Sequence, residues 1–157
     1  MSPLIDEVIH FFYRDQWHFA KNEDESVVRV AFGGHNGRWG CYAQIREAEQ
    51  QIIFYSVYPE VIPKKKRKQI AVLLTLINYD LVIGNFELNL DGGHLRYKTS
   101  IDVEGTTLNW ALIKQLVYNN VFIMDKYYPA IEAVLKEEAS PEEAVNRIEN
   151  VKSDDTV

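Results

Sequence analysis

One cysteine in 157 residues leaves no internal disulfide to be made. A lone Cys41 fits a reducing compartment, where thiols stay free. No long apolar run is present either. The uncharged stretch from Ile70 to Tyr79 covers about half of the ~20 residues that a membrane-spanning helix needs. The opening residues carry Asp6 and Glu7, whereas a secretory signal is basic at that point. These absences lead us to expect a cytoplasmic protein with no membrane insertion. The motifs of common chemistry are missing as well: no P-loop, GxGxxG, GxSxG or HExxH. The four histidines, His10, His18, His35 and His94, have no structural-zinc spacing with Cys41 or the acids. Cys41 has no local base and reads as a buried inert thiol. Carboxylate pairs such as Glu23/Glu25 and Glu142/Glu143 fall in loops or helix starts, where water solvates them. The expectation is no catalytic residue, no cofactor and no metal.

Positive charge is scarce. The formal net charge is −6, with 17 bases against 23 acids. The deficit is concentrated at the end, where residues 132–157 hold eight acids and three bases. Such a balance argues against nucleic acid as a partner. The one basic run, Lys64, Lys65, Lys66, Arg67 and Lys68, contains no aromatic. It opens a helix, where cations oppose the macrodipole. Three readings stay open for it: a solvated helix end, a patch for an anionic partner, or a dock for the protein's own acidic tail or that of a second copy.

What is present has clear periodicity. Ser2 and Pro3 suit a helix start. Leu4, Ile5, Val8, Ile9, Phe11 and Phe12 then share one face of an amphipathic helix. Residues 21–26 read as a loop. Val27 to Phe32 is β-branched and reads as a strand. Asn36-Gly37 signals a hairpin turn into a strand over Arg38 to Ile45. A third strand, Gln51 to Tyr58, is apolar on both sides and is expected to be central or to face a partner. A helix over Ile70 to Leu81 follows. Its main stripe is Ile70, Leu73, Leu74, Ile77 and Leu81. A second stripe of Val72, Leu76 and Tyr79 lies nearly opposite and needs its own cover. Next come Phe86, Leu88 and Leu90, an Asp91-Gly92-Gly93 turn, and Leu95, Tyr97, Thr99 and Ile101, the two halves of another hairpin. Glu87 and Asn89 are expected to face Arg96 and Lys98 across its strands. Thr106 or Thr107 would cap a long helical region, with bends or breaks at Asn119-Asn120 and Pro129. Ser140-Pro141-Glu142-Glu143 starts a short last helix. The fold class is α+β in the order α-β-β-β-α-β-β-α, an antiparallel sheet with helices packed on it, plus that C-terminal helix. Residues 1–136 make one domain and residues 137–157 an acidic helix and tail.

Several of these stretches resemble the YbjN-type family of bacterial sensory transduction regulators. The likeness is carried by Ile77-Asn78-Tyr79, Gly84-Asn85-Phe86-Glu87-Leu88, Leu95-Arg96-Tyr97-Lys98-Thr99-Ser100, Asp125 and Tyr128-Pro129-Ala130-Ile131. It covers most of residues 1–136, and the extension from Ser140 falls outside it. The family is similar in fold to type III secretion chaperones, small dimeric α+β proteins with the element order read above. The resemblance implies no enzyme activity and no cofactor.

The expected function is therefore a non-enzymatic protein-binding module, chaperone- or adaptor-like. It would use an open sheet face or the first helix as a groove, with strand-edge hydrogen bonds to an extended partner segment. Val72, Leu76 and Tyr79 are the expected homodimer contact. A small-ligand or signalling sensor, with Trp39, Tyr55 and Tyr97 lining a pocket, is the alternative. An enzyme of unknown class ranks third.

Overall fold

The computed structural model describes residues 3–21 and 26–154. Its elements are α1 (Leu4–Arg14), β1 (Phe19–Lys21), β2 (Val27–Gly33), β3 (Arg38–Arg46), β4 (Gln51–Val57), α2 (Arg67–Asp80), β5 (Asn85–Leu88), β6 (Leu95–Asp102), α3 (Trp110–Leu135) and α4 (Pro141–Asp154). The strands form one antiparallel sheet in the order β1-β2-β3-β4-β6-β5. β4, apolar on both sides, is internal as its sequence requires. The expected order is met, with one addition. The short β1 pairs Phe19 with Val30 and Lys21 with Val28 at the sheet edge.

Alternation along each strand sends one set of side chains under the helices. Val28, Trp39, Cys41, Ala43, Ile52, Phe54, Leu95 and Tyr97 are all buried on that side. α3 crosses them, presenting Ile113, Leu116, Val117, Val121, Met124 and Ile131. α1 spends its whole apolar face here, with Leu4, Ile5, Val8, Phe11 and Phe12 buried. Phe11 meets Trp110 at 4.6 Å and Phe12 meets Phe54 at 6.2 Å between ring centroids. α1 therefore offers no groove to a partner. Ser2 lies outside the described residues. Pro3 occupies the cap position, and the Glu47 carboxylate accepts from Ile5 N at 2.9 Å in place of a local cap.

α3 corrects two readings of the sequence. It runs unbroken past Asn119-Asn120 and past Pro129. Asn120 is fully buried and belongs to the core. Its Nδ2 donates to Phe54 O (2.9 Å), Tyr97 O (3.2 Å) and Thr99 Oγ1 (3.2 Å). Its Oδ1 accepts from Ser56 Oγ at 2.6 Å, and Ser56 in turn accepts from Trp39 Nε1 at 2.9 Å. An amide so satisfied ties the helix to β4 and β6. Pro129 has no N–H for the carbonyl of Asp125, one turn back. Asn36 Nδ2, from the β2–β3 hairpin, donates to that carbonyl at 2.9 Å. The Asp125 carboxylate accepts from His35 N (3.0 Å) and Asn36 N (2.8 Å). The helix start also differs from expectation. Asn109, rather than Thr106 or Thr107, caps α3 by accepting from Leu112 N at 3.0 Å.

That hairpin explains its own glycines. Neither Gly34 nor Gly37 has positive φ, so the loop is not the turn that Asn-Gly usually forms. The glycines instead allow close approach. A Cβ on Gly34 would lie 2.3 Å from Asp125 Oδ1, and one on Gly37 would lie 2.6 Å from the Tyr128 ring.

Candidate functional site

Among the described residues no helix packs on the other side of the sheet. Two cross-strand rows on that side define a trough. Ala31, Gly40, Val57, Arg96 and Glu87 are successive partners across β2, β3, β4, β6 and β5. Arg29, Tyr42, Tyr55 and Lys98 form the row beside it. The small residues Gly40 and Val57, beside the Tyr42 ring, leave a concave space of about 830 Å³. Its walls include Arg29, Tyr42, Val57, His94 and Arg96, and its floor is Gly40. A Cβ on Gly40 would meet nothing within 4 Å.

The polar groups of the trough are held in place. Tyr42 and Tyr55 pack at 4.7 Å between centroids, and the Arg96 guanidinium lies 4.1 Å above the Tyr55 ring. Arg96 Nη1 donates to Tyr42 Oη at 3.3 Å. Glu87 bridges two cations, with Oε1 accepting from Arg96 Nε and Oε2 from Lys98 Nζ, both at 2.8 Å. Partial burial works against a charged Glu87, but the hydrogen bonds from Lys98 and Arg96 outweigh it and hold the carboxyl below its ordinary value. The Glu87 pairing is the one the sequence led us to expect. Asn89 instead turns into the hairpin loop, where Oδ1 accepts from Asp91 N and Gly92 N.

The three aromatics expected to share a pocket are separated. Trp39 and Tyr97 point under the helices, 4% and 0% exposed, whereas Tyr55 lies on the opposite face, 6% exposed and packed against Tyr42 and Arg96. Both sides of β4 are apolar, so strand periodicity did not say which side the helices take. Burial pushes the Tyr97 hydroxyl up to about 12, and that hydroxyl donates to Ile83 O. Cys41 lies on the covered face. Burial raises its thiol to about 12 despite bonds to Ser56 and Trp39, so it holds its proton at neutral pH. Among the described residues no three His, Cys, Asp or Glu side chains gather as metal ligands.

The basic run is divided. Lys66 is buried and pairs with Glu137 at the start of the acidic extension. Arg67 donates to Ile62 O (2.9 Å), Leu90 O (3.0 Å) and Asp91 O (2.9 Å), fastening the β5–β6 turn. Lys64, Lys65 and Lys68 are exposed. The second stripe of α2 is exposed too: Val72, Leu76 and Tyr79 are 45%, 37% and 90% open. It continues into Val82 and Ile83. Behind it, α2 buries Ile70, Leu73, Leu74 and Ile77. α4 packs on α2 and α3 with Ala144 and Val145 buried.

Strand-edge pairing has little room. β1 is three residues long. On β5, Asn78 of α2 stands where a partner strand would bond, accepting from Phe86 N (2.8 Å) and donating to Phe86 O (3.0 Å). The face of the sheet, not its edge, is what the molecule offers.

No helix among the described residues is long and apolar enough to cross a membrane. Comparison with solved structures returns YbjN from E. coli, described as "a putative transcription regulator", at TM-score 0.54 and 14% identity. That match covers 74% of this chain and 82% of the other. A chain of the HopA1–SchA chaperone–effector complex matches at TM-score 0.49 and 15% identity, covering 79% of this chain and 93% of its own. A chain of the ExsC–ExsE complex matches at TM-score 0.46 and 9% identity, covering 79% and 90%. No curated protein matches in sequence. The family model for YbjN, "putative bacterial sensory transduction regulator", matches residues 4–133. With the fold and most of the chain in agreement, this protein belongs to the YbjN family.

Proposed function

We propose that this chain is a cytoplasmic, non-enzymatic protein-binding module of the chaperone or adaptor kind. The observation that carries the reading is the division of the sheet. One face is filled by α1 and α3, and the other holds a preformed trough of about 830 Å³ that no described element covers. Binding there needs no reactive group. It needs a concave surface with fixed aromatic and charged contacts. Gly40 gives the test, because a large side chain at this position enters open space and fills the trough. Peptides selected from a displayed library on the wild-type protein should lose binding to Gly40→Trp, while circular dichroism stays unchanged. Peptides indifferent to that change would sink the reading. A single metabolite that raises the unfolding midpoint by several degrees would favour the ligand-sensor alternative instead.

The same proposal includes self-association through Val72, Leu76 and Tyr79, supported by their exposure on a helix whose other side is buried. Light scattering at high micromolar concentration should give a dimer, and Leu76→Asp should return it to a monomer. An unchanged mass would remove this part.

A further inference from the structure

We infer that the trough receives an extended, acidic segment of a partner protein, an inference that rests on the protein-binding reading above. The first ground is charge. The chain as a whole is acidic, with a net charge of −6. Its open sheet face is the reverse. Arg29, Arg38, Arg46, Arg96 and Lys98 point outward from the described strands, against Glu87 and Asp102, and Arg46 is paired with Glu49 of the β3–β4 turn. Among the described residues Arg29 has no ion-pair partner. At the opposite end Arg96 and Lys98 share the single carboxylate of Glu87, which leaves one positive charge there. A basic patch set in an acidic protein selects for carboxylates.

The second ground is spacing. The trough runs across the strands, not along them. Arg29 on β2 and Arg96 on β6 are walls of the trough on strands at its two ends, and Tyr42 stands between them. Three interstrand steps separate these strands, about 14 Å at the usual strand spacing. In an extended chain, side chains i, i+2 and i+4 point the same way, and i to i+4 spans roughly 13 Å. A segment with carboxylates at i and i+4 therefore reaches both ends. The side chain at i+2 lands on the Tyr42 ring and the bare floor at Gly40. An apolar residue suits that place.

The test uses three fluorescein-labelled peptides, GSEVLVESG and its versions with both Glu replaced by Gln or by Lys, read by fluorescence polarisation. The acidic peptide should bind at least tenfold more tightly than the Gln peptide, and the Lys peptide least. Arg29→Glu should weaken the acidic peptide about tenfold and improve the Lys peptide. Raising salt from about 50 to 300 mM should weaken the acidic peptide alone. Equal binding of the Glu and Gln peptides would overturn the inference. If neutral library peptides bind and are lost with Gly40→Trp while GSEVLVESG does not bind, the acidic inference fails and the protein-binding reading stands. If Gly40→Trp affects no peptide, both fall. A synthetic copy of residues 137–157 that displaces the probe more strongly than unlabelled GSEVLVESG would assign the trough to a second copy's tail and overturn a separate partner.

Discussion

The two faces of the sheet are built from the same strands yet obey different rules. Under the helices, every buried polar side chain described has a partner, and the rings interlock. On the open side, Arg29, Arg38 and Ser100 stand in water, and Glu87 serves two cations at once. Burial turns a missing hydrogen bond into a large penalty, so the covered face tolerates no loose group. Water absorbs most losses on the open face, so that face is free to be shaped for recognition. Substitutions should therefore split the faces by the size of their effect on stability.

The largest effect is expected at Asn120. Asn120→Ala strips four hydrogen bonds from the centre of the molecule and leaves Ser56 and two strand carbonyls less satisfied. Chemical denaturation should show a loss of about 3 kcal/mol. A loss below about 1 kcal/mol would mean that the covered face depends on its polar contacts no more than the open one does.

Gly34→Ala comes next and probes the border between the faces. The new Cβ meets the Asp125 carboxylate, so the hairpin must leave the helix or the carboxylate must turn from His35 N and Asn36 N. Either movement also loosens Asn36 from the carbonyl that Pro129 leaves without a donor. We expect about 2 kcal/mol of destabilisation, and Gly33→Ala should cost less. At Gly33 the nearest atom, 3.2 Å away, belongs to the flexible side chain of Arg38. Equal costs at the two glycines would remove the docking account of this hairpin.

Much of this architecture was legible in the sequence, and the exceptions have physical causes. α1, α2 and the strands from Val27 onward announce themselves through period, β-branched or apolar runs and turn residues. β1 does not, since three residues are too few for a period. Pro129 looks like a break because its remedy comes from Asn36, distant in the chain and invisible to any local rule. Asn120 could have been found. It lies one turn after Leu116 and one before Met124, on the apolar stripe of α3, which is where a structural amide sits. The trough could not be found, because its residues come from five strands and only register aligns them. Alternation says which residues of one strand share a face, but not which face the helices will take.

The smallest effect is expected at Glu87, and it is the most direct measure of how lightly the open face is tied down. Its side chain is 29% exposed, and those of its partners Arg96 and Lys98 are 39% and 31% exposed, so solvent screens both pairs. Glu87→Gln should lower stability at pH 7 by less than about 1 kcal/mol. The pH dependence identifies the group. The folded carboxyl titrates below its ordinary value, so its contribution is complete above the unfolded value of about 4.3. That contribution is lost as pH falls through the lower, folded value. The stability difference between wild type and Glu87→Gln, read from urea midpoints between about pH 6 and 3, should therefore shrink toward acid. Other carboxyls held low, Asp102 and Glu137 among them, titrate in both proteins and cancel in that difference. A difference that stays constant across this range would mean that the two ion pairs contribute nothing. One above about 2 kcal/mol at pH 7 would show that the open face is tied down no less firmly than the covered one, and the distinction between the faces would fail.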